Sequence, residues 1–187
     1  SPAMNRLIHV GRLDRSKNID LLIQSTLEIR NLNPSTSLTL IGSSANSESS
    51  SYYAELNKKY IYEIQNNIVC FIPSIPRDQL SVQLLAHDIF IHAYKGSLDK
   101  TLVEATFSCM PVITINPEYE SIFGTWSNRN SPTLYEEYSA LYSRPKLEIL
   151  KELSLRLSIA KSSHSSDQWI QKLSEILQAK SRPDPIS

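Results

Sequence analysis

Two short stretches carry residues that could bind an anion. The first is HVGRLDRSKN, residues 9–18, at the end of an apolar run. Gly11 lets the chain turn there and lets a ligand approach the backbone. Arg12 and Lys17 follow, so an anion at this turn would meet two cations, one with a planar fork suited to phosphate oxygens. Two solvated charges at a strand end would give the same spacing. The second stretch is KGSLDKTLVEA, residues 95–105. Gly96 and Ser97 permit an irregular turn, and Ser97 or Asp99 can cap a following helix. Its first-turn amides, from Asp99 to Thr101, would point toward a ligand as an anion seat. Lys100 and Glu104 lie four residues apart on one helix face. The order Lys then Glu is the less favourable one for a helical pair, which weakens a purely structural account. The helix over 99–109 reads as largely buried, where charges are costly unless paired or used.

Other chemistries lack their signatures. Gly42 is followed by SSANSESSS, which is neither GxxxxGK[ST] nor GxGxxG. No Ser-His-Asp or nucleophile-elbow pattern occurs. His9, His87, His92 and His164 have no metal-like spacing, and no metal or other cofactor is expected. Cys70 and Cys109 lie in apolar stretches without CxxC spacing and read as buried, reduced thiols. Of the four glycines, Gly11, Gly42 and Gly96 fall just past apolar runs. That distribution marks a ligand edge, although turns alone would also need it.

The elements that must position these residues are legible as an alternation. RLIHV (6–10), SLTLIG (37–42), NIVCFIP (67–73), DIFIHAY (88–94) and PVITIN (111–116) are nearly continuous apolar runs, as strands covered on both faces are. Between the first two, Ile19, Leu22, Ile23, Thr26 and Leu27 share one helix face. Helices are expected over 50–64, 78–86 and 99–109, with a Ser/Asn-rich loop at 43–51. Such alternation predicts an α/β fold, a single doubly wound sheet of five or six parallel strands with helices on both faces. Ligands of such sheets bind beyond the carboxyl ends of the strands. Residues 117–133 show no clear period, and the remainder reads as a helical extension. Its last helix would be capped by Ser166 or Asp167 and carry Trp169, Ile170, Leu173, Ile176 and Leu177, ahead of a frayed tail at 181–187. The chain reads as one domain over 1–187. The opening SPAM (1–4) reads as a remnant around Met4, in which case the chain is a piece of a longer protein.

The bulk numbers narrow the partners. The 187 residues are 41% hydrophobic and 20% charged, enough for a core. Nineteen basic residues balance nineteen acidic ones. Zero net charge argues against nucleic acid or an anionic membrane as main partner. No signal peptide or transmembrane run is visible, so a cytoplasmic location is expected.

The ordered pieces VGRLDRSKN, LIQSTLEI, LTLIGSS, NIVCFIPSIPRDQL and AHDIFIHAYKGSLDKTLVEATFSCMPVIT together resemble the carboxyl-terminal domain of group 1 (family 4) retaining glycosyltransferases. These have two Rossmann-like domains, the GT-B fold. The similarity covers residues 6–116 well. It implies a Rossmann-like half that binds a nucleoside-diphosphate sugar donor, in glycan, polysaccharide or glycolipid synthesis. It also implies that Arg12 and Lys17 contact the diphosphate and that the amides of Leu98 to Thr101 hold its phosphates. Glu104 would bind ribose hydroxyls, with the base resting near Pro73, Ser74 and Ile75. Arg12, Lys17 and Lys100 would stabilise the departing diphosphate.

Two departures from the family pattern stand out. Gly96 occupies the place of a first glutamate that usually lies next to the donor sugar, so that role does not carry over. Cys109 replaces a helix-ending glycine, which predicts a differently shaped helix end. The acceptor and any general base would come from an amino-terminal domain of the same enzyme, absent here. Membrane association, if any, would run through that half. Two alternatives remain at this point: a non-catalytic sugar-nucleotide-binding or regulatory module, favoured by Gly96, and an unrelated flavodoxin-like interaction domain.

Overall fold

The computed structural model describes residues 4–164. Five parallel strands, β1 (Arg6–Val10), β2 (Ser37–Ile41), β3 (Val69–Ile72), β4 (Ile89–His92) and β5 (Val112–Thr114), form one sheet in the order β3-β2-β1-β4-β5. Helices α1 (Ile19–Ile29), α2 (Ser47–Lys59), α3 (Ile61–Gln65), α4 (Arg77–Leu85) and α5 (Lys100–Phe107) fill the crossovers. Helices α6 (Pro117–Phe123), α7 (Leu134–Ser143) and α8 (Lys146–His164) follow β5. The register places Leu7 beside Leu38 and Ile89, Leu38 beside Val69, and Phe90 beside Val112.

The unbroken apolar strands are explained by two cores. Side chains alternate across a strand, so Leu7 and Ile8 enter different cores. Leu7, Leu38 and Ile91 pack with Leu22 and Ile23 of α1, Leu56 of α2 and Tyr138 of α7. Ile8, Ile41 and Phe90 pack with Leu84 of α4, Leu102 of α5, Phe123 of α6 and Ala160 of α8. The doubly wound expectation is met, and the helices after β5 complete both layers.

Four local expectations need correction. The helix placed at 50–64 is two helices separated at Tyr60, whose ring is buried and whose hydroxyl donates to Asp20 Oδ1 at 2.7 Å. It also starts earlier, at Ser47, because Asn46 and Ser49 form a reciprocal capping box. The segment 117–133 contains α6, with Asn116 as cap and Pro117 at its first position; seven residues are too few to show a period. Cys70 and Cys109 are exposed rather than buried: β3 is an edge strand, and Cys109 lies past the end of α5. Cys109 nonetheless has φ 53°, so the left-handed turn is kept without glycine, at a cost of about 1 kcal/mol. The proposed cap at Ser166 or Asp167, its helix and the tail lie outside the described residues.

Candidate functional site

All strands run the same way, so Gly11, Gly42, Ser74 and Gly96, which follow β1, β2, β3 and β4, lie at one edge of the sheet. The strand order reverses between β1 and β4, the place where open sheets of this kind leave a crevice. A cavity of about 150 Å³ at this edge is lined by Gly11, Arg12, Gly42, Ser74, Ile75 and Leu80, among others. Gly42 is required for this edge to close: a Cβ there would stand 1.8 Å from the Gly11 carbonyl oxygen. Pro73 lines an adjoining cleft of about 190 Å³ with Leu13, Tyr53 and Phe71, which shares Gly42 and Ser43 with this cavity.

Lys17 is held deep in the β1–β4 crevice rather than solvated. A 3-10 turn at Arg15–Lys17, capped by Asp14, turns its side chain inward. The ammonium donates to Asp99 Oδ2 at 2.5 Å and sits 4.0 Å above the Tyr94 ring. His92, wholly buried on β4, places Nε2 3.3 Å from the same oxygen and Nδ1 3.3 Å from Thr114 Oγ1. Burial alone would raise the Asp99 carboxyl, but the bonds from His92 and Lys17 outweigh it and hold it below the usual carboxylate range. Arg12 reaches outward, with Asp14 Oδ2 3.4 Å from its Nε.

The loop after β4 and the first turn of α5 form the other side. Asp99 caps α5, its Oδ1 accepting from the Thr101 amide at 3.5 Å. The Leu98 amide donates to Glu118 Oε2 at 2.7 Å. Two of the amides expected to hold phosphates thus meet carboxylates of this chain. The carbonyls of Tyr94, Gly96 and Ser97 accept from the side-chain amide of Asn116 at 3.0, 3.0 and 3.3 Å. At Gly96 a Cβ would fall 2.1 Å from the Tyr94 ring, so a glutamate there requires that ring to move.

Glu104 is largely buried, and the guanidinium of Arg77, on the first turn of α4, pairs with it. Leu80 of the same helix lines the cavity, so this pair ties the cavity wall to α5. Lys100 is not buried: its side chain is 71% exposed and its Nζ is 4.0 Å from Glu104 Oε1. The largely buried helix is in fact one-sided, with Leu102, Ala105 and Thr106 inward. The sequence reading missed Arg77, His92, Asn116 and Glu118. The run INPEYE does carry a helix-start signal, Asn followed by Pro. Nothing local reveals that its amide reaches a loop some twenty residues earlier. Among the described residues no group of three or more His, Cys, Asp or Glu could hold a metal ion, and no helix is long and apolar enough to cross a membrane.

Comparison with known proteins gives this geometry a context. Among solved structures, Anabaena HepE in complex with UDP-glucose matches with a TM-score of 0.76 and 18% identity, over 94% of this chain and 49% of that one. The pneumococcal O-GlcNAc transferase GtfA, in complex with UDP and GlcNAc, matches at 0.70 and 18%, over 92% and 36%. The α,α-trehalose 6-phosphate synthase of Burkholderia multivorans matches at 0.74 and 15%, over 96% and 45%. At such identities the likeness is one of fold, and this chain spans between about a third and a half of each of them. No curated protein sequence matches significantly. The family model for glycosyl transferases group 1 matches residues 3–129, which include every strand and each loop at the carboxyl edge. By that match the chain belongs to the glycosyl transferases group 1 family.

Proposed function

We propose that this chain is the donor-binding domain of a retaining glycosyltransferase that moves a sugar from a nucleoside diphosphate to an acceptor. The observation that carries the reading is the single strand edge shared by the Gly42–Ser74 cavity, Lys17 and the Glu104 carboxylate. The base would rest against Ser74 and Ile75, and Glu104 would take the ribose hydroxyls on releasing Arg77. The diphosphate would lie between Gly11–Arg12 and the loop from Gly96 to Thr101, with the sugar beyond. Negative charge develops on the leaving diphosphate in the transition state. Arg12, Lys17 and Lys100 would oppose it, and fixed positive charge at that point lowers the barrier. The exposed Lys100 has the freedom to swing onto a phosphate.

The acceptor and any general base would come from an amino-terminal domain of the same enzyme. The half-length coverage of the solved relatives supports that partner. HepE and GtfA were each solved with UDP, so uridine donors are the first to try. A cytoplasmic enzyme of glycan, polysaccharide or glycolipid synthesis fits the reading. The test is a thermal-shift series of the purified chain with UDP-, GDP- and ADP-sugars. A ligand of the folded state raises the melting temperature with concentration. One series should do so, with a Kd between about micromolar and millimolar, and no sugar transfer should occur. A melting temperature indifferent to all three overturns the donor site, and transfer by this chain alone overturns the need for a second domain.

A further inference from the structure

We infer that Asn116 is a positioning residue that sets the β4–α5 loop for the donor's diphosphate, and that Glu118 lends a carboxylate where a phosphate oxygen would bind. The inference rests on the donor-site reading above and assigns a role to residues outside it.

Asn116 is wholly buried and every polar atom of its side chain is used. Its Oδ1 accepts from the Tyr119 amide at 2.9 Å, capping α6. Its Nδ2 donates to the carbonyls of Tyr94, Gly96 and Ser97. With an amide donor on one side and three carbonyl acceptors on the other, the side chain has one chemically sensible orientation. A trans peptide points its N–H opposite to its C=O. Drawing the Gly96 and Ser97 carbonyls toward Asn116 therefore turns the Ser97 and Leu98 amides the other way. The Leu98 amide meets an oxyanion there, the exposed carboxylate of Glu118 at 2.7 Å. An amide that donates to a carboxylate at that distance can donate to a phosphate oxygen in its place. Among the described residues, the Leu98 amide is the one hydrogen-bond partner of the Glu118 carboxylate. A bound diphosphate and the Glu118 carboxylate, both negative, would compete for the Leu98 amide.

The two residues should act in opposite directions. Asn116→Asp keeps size and capping ability but sets an oxygen against three carbonyls; Asn116→Ser keeps a cap and only loses the donors. Both should weaken UDP about tenfold or more and leave uridine within about twofold. Glu118→Gln removes the competing charge and should tighten UDP severalfold, again without changing uridine. The measurement is calorimetric titration of UDP and uridine into the wild-type chain and each variant, with melting curves confirming that each is folded. Equal changes for UDP and uridine, or unchanged UDP affinity in folded Asn116→Ser, overturn the role of Asn116. Unchanged or weaker UDP binding by Glu118→Gln overturns that of Glu118. A wild-type chain that binds neither UDP nor the GDP and ADP controls sinks the donor-site reading itself, and this inference with it.

Discussion

The Lys17 ammonium lies 2.5 Å from Asp99 Oδ2, with only 11% and 17% of the two side chains exposed. Lys17 comes from the turn after β1 and Asp99 from the cap of α5, so the pair closes the β1–β4 crevice. It also balances its own charge. An ammonium has three donors; Asp99 takes one, and the centre of the Tyr94 ring lies 4.0 Å from the nitrogen. His92 titrates below its usual range because it is buried, so it is neutral at pH 7. A neutral ring then donates from Nε2 to Asp99 and accepts the Thr114 hydroxyl at Nδ1. The Thr114 oxygen in turn accepts from the Asn116 amide at 3.1 Å. One chain of polar contacts thus links the cation, the helix cap and the residue that holds the loop.

Removing one member of a largely buried pair leaves the other uncompensated. Lys17→Met and Asp99→Asn should each lower the unfolding free energy by about 3 kcal/mol. The double variant should lose clearly less than the sum, since neither charge is then stranded. Urea unfolding of the four proteins checks this. Strict additivity would mean that the contact carries no coupling. UDP affinity should fall in Lys17→Met.

Acid should weaken the fold well before the carboxylates titrate. His9 is fully buried on β1, with its Nδ1 3.0 Å from the Ile91 carbonyl. Its Nε2, close to Gly11, has no hydrogen-bond partner among the described residues. Burial, with the nearby His92, lowers its pKa to about 3. The unfolded chain takes up this proton near pH 6.5 and the folded one does not. Stability is therefore fully present above pH 6.5 and is lost as pH falls toward 3, at up to about 1.4 kcal/mol per pH unit. His92 acts in the same direction. Between pH 6.5 and 4.5, His9→Leu should flatten the slope of unfolding free energy against pH, measured in urea at each pH. An unchanged slope would show that His9 titrates normally.

Gly96 is a test of packing against chemistry. An added Cβ would meet the Tyr94 ring, on which the Lys17 ammonium sits. Gly96→Ala should cost about 1–3 kcal/mol by overpacking and should weaken UDP by displacing Lys17. Tyr94→Ala in the same chain should recover much of the stability difference but not the affinity, because the cation loses its platform. A double-variant cycle read by melting and by titration separates the two. Gly96→Ala with unchanged stability would mean that the ring simply moves aside.

The sheet was legible because its inner strands are covered on both faces, which leaves an unbroken apolar signature such as IFIH in β4. The strand-end residues followed from the sheet, since a parallel order fixes which loops share an edge. What stayed hidden depends on contacts distant in the chain. Lys17 pairs with a residue 82 positions away, and Asn116 ties a loop 19 to 22 positions earlier. Neither leaves a local pattern. The burial of α5 was overestimated because one face of the helix carries the enclosed residues Leu102, Ala105 and Thr106, while Phe107 at its end is 39% exposed.

The Lys100–Glu104 spacing can now be divided into separate roles. Glu104 is largely buried and already paired with Arg77, whereas Lys100 is exposed and 4.0 Å away. If Glu104 holds ribose hydroxyls, Glu104→Gln should weaken UDP by tenfold or more, the worth of a charge-assisted hydrogen bond of about 1.5–3 kcal/mol. It should weaken 2′-deoxy-UDP much less. Arg77 competes for the same carboxylate, so Arg77→Met should leave UDP binding unchanged or tighter, with little loss of stability for so exposed a cation. Lys100→Met should weaken UDP far more than uridine, because its only proposed duty is to the diphosphate. Calorimetric titration of UDP, 2′-deoxy-UDP and uridine into the three variants distinguishes these outcomes. Equal losses across the three ligands, with lowered melting temperatures, would make Lys100, Glu104 and Arg77 braces between α4 and α5 rather than parts of a donor site.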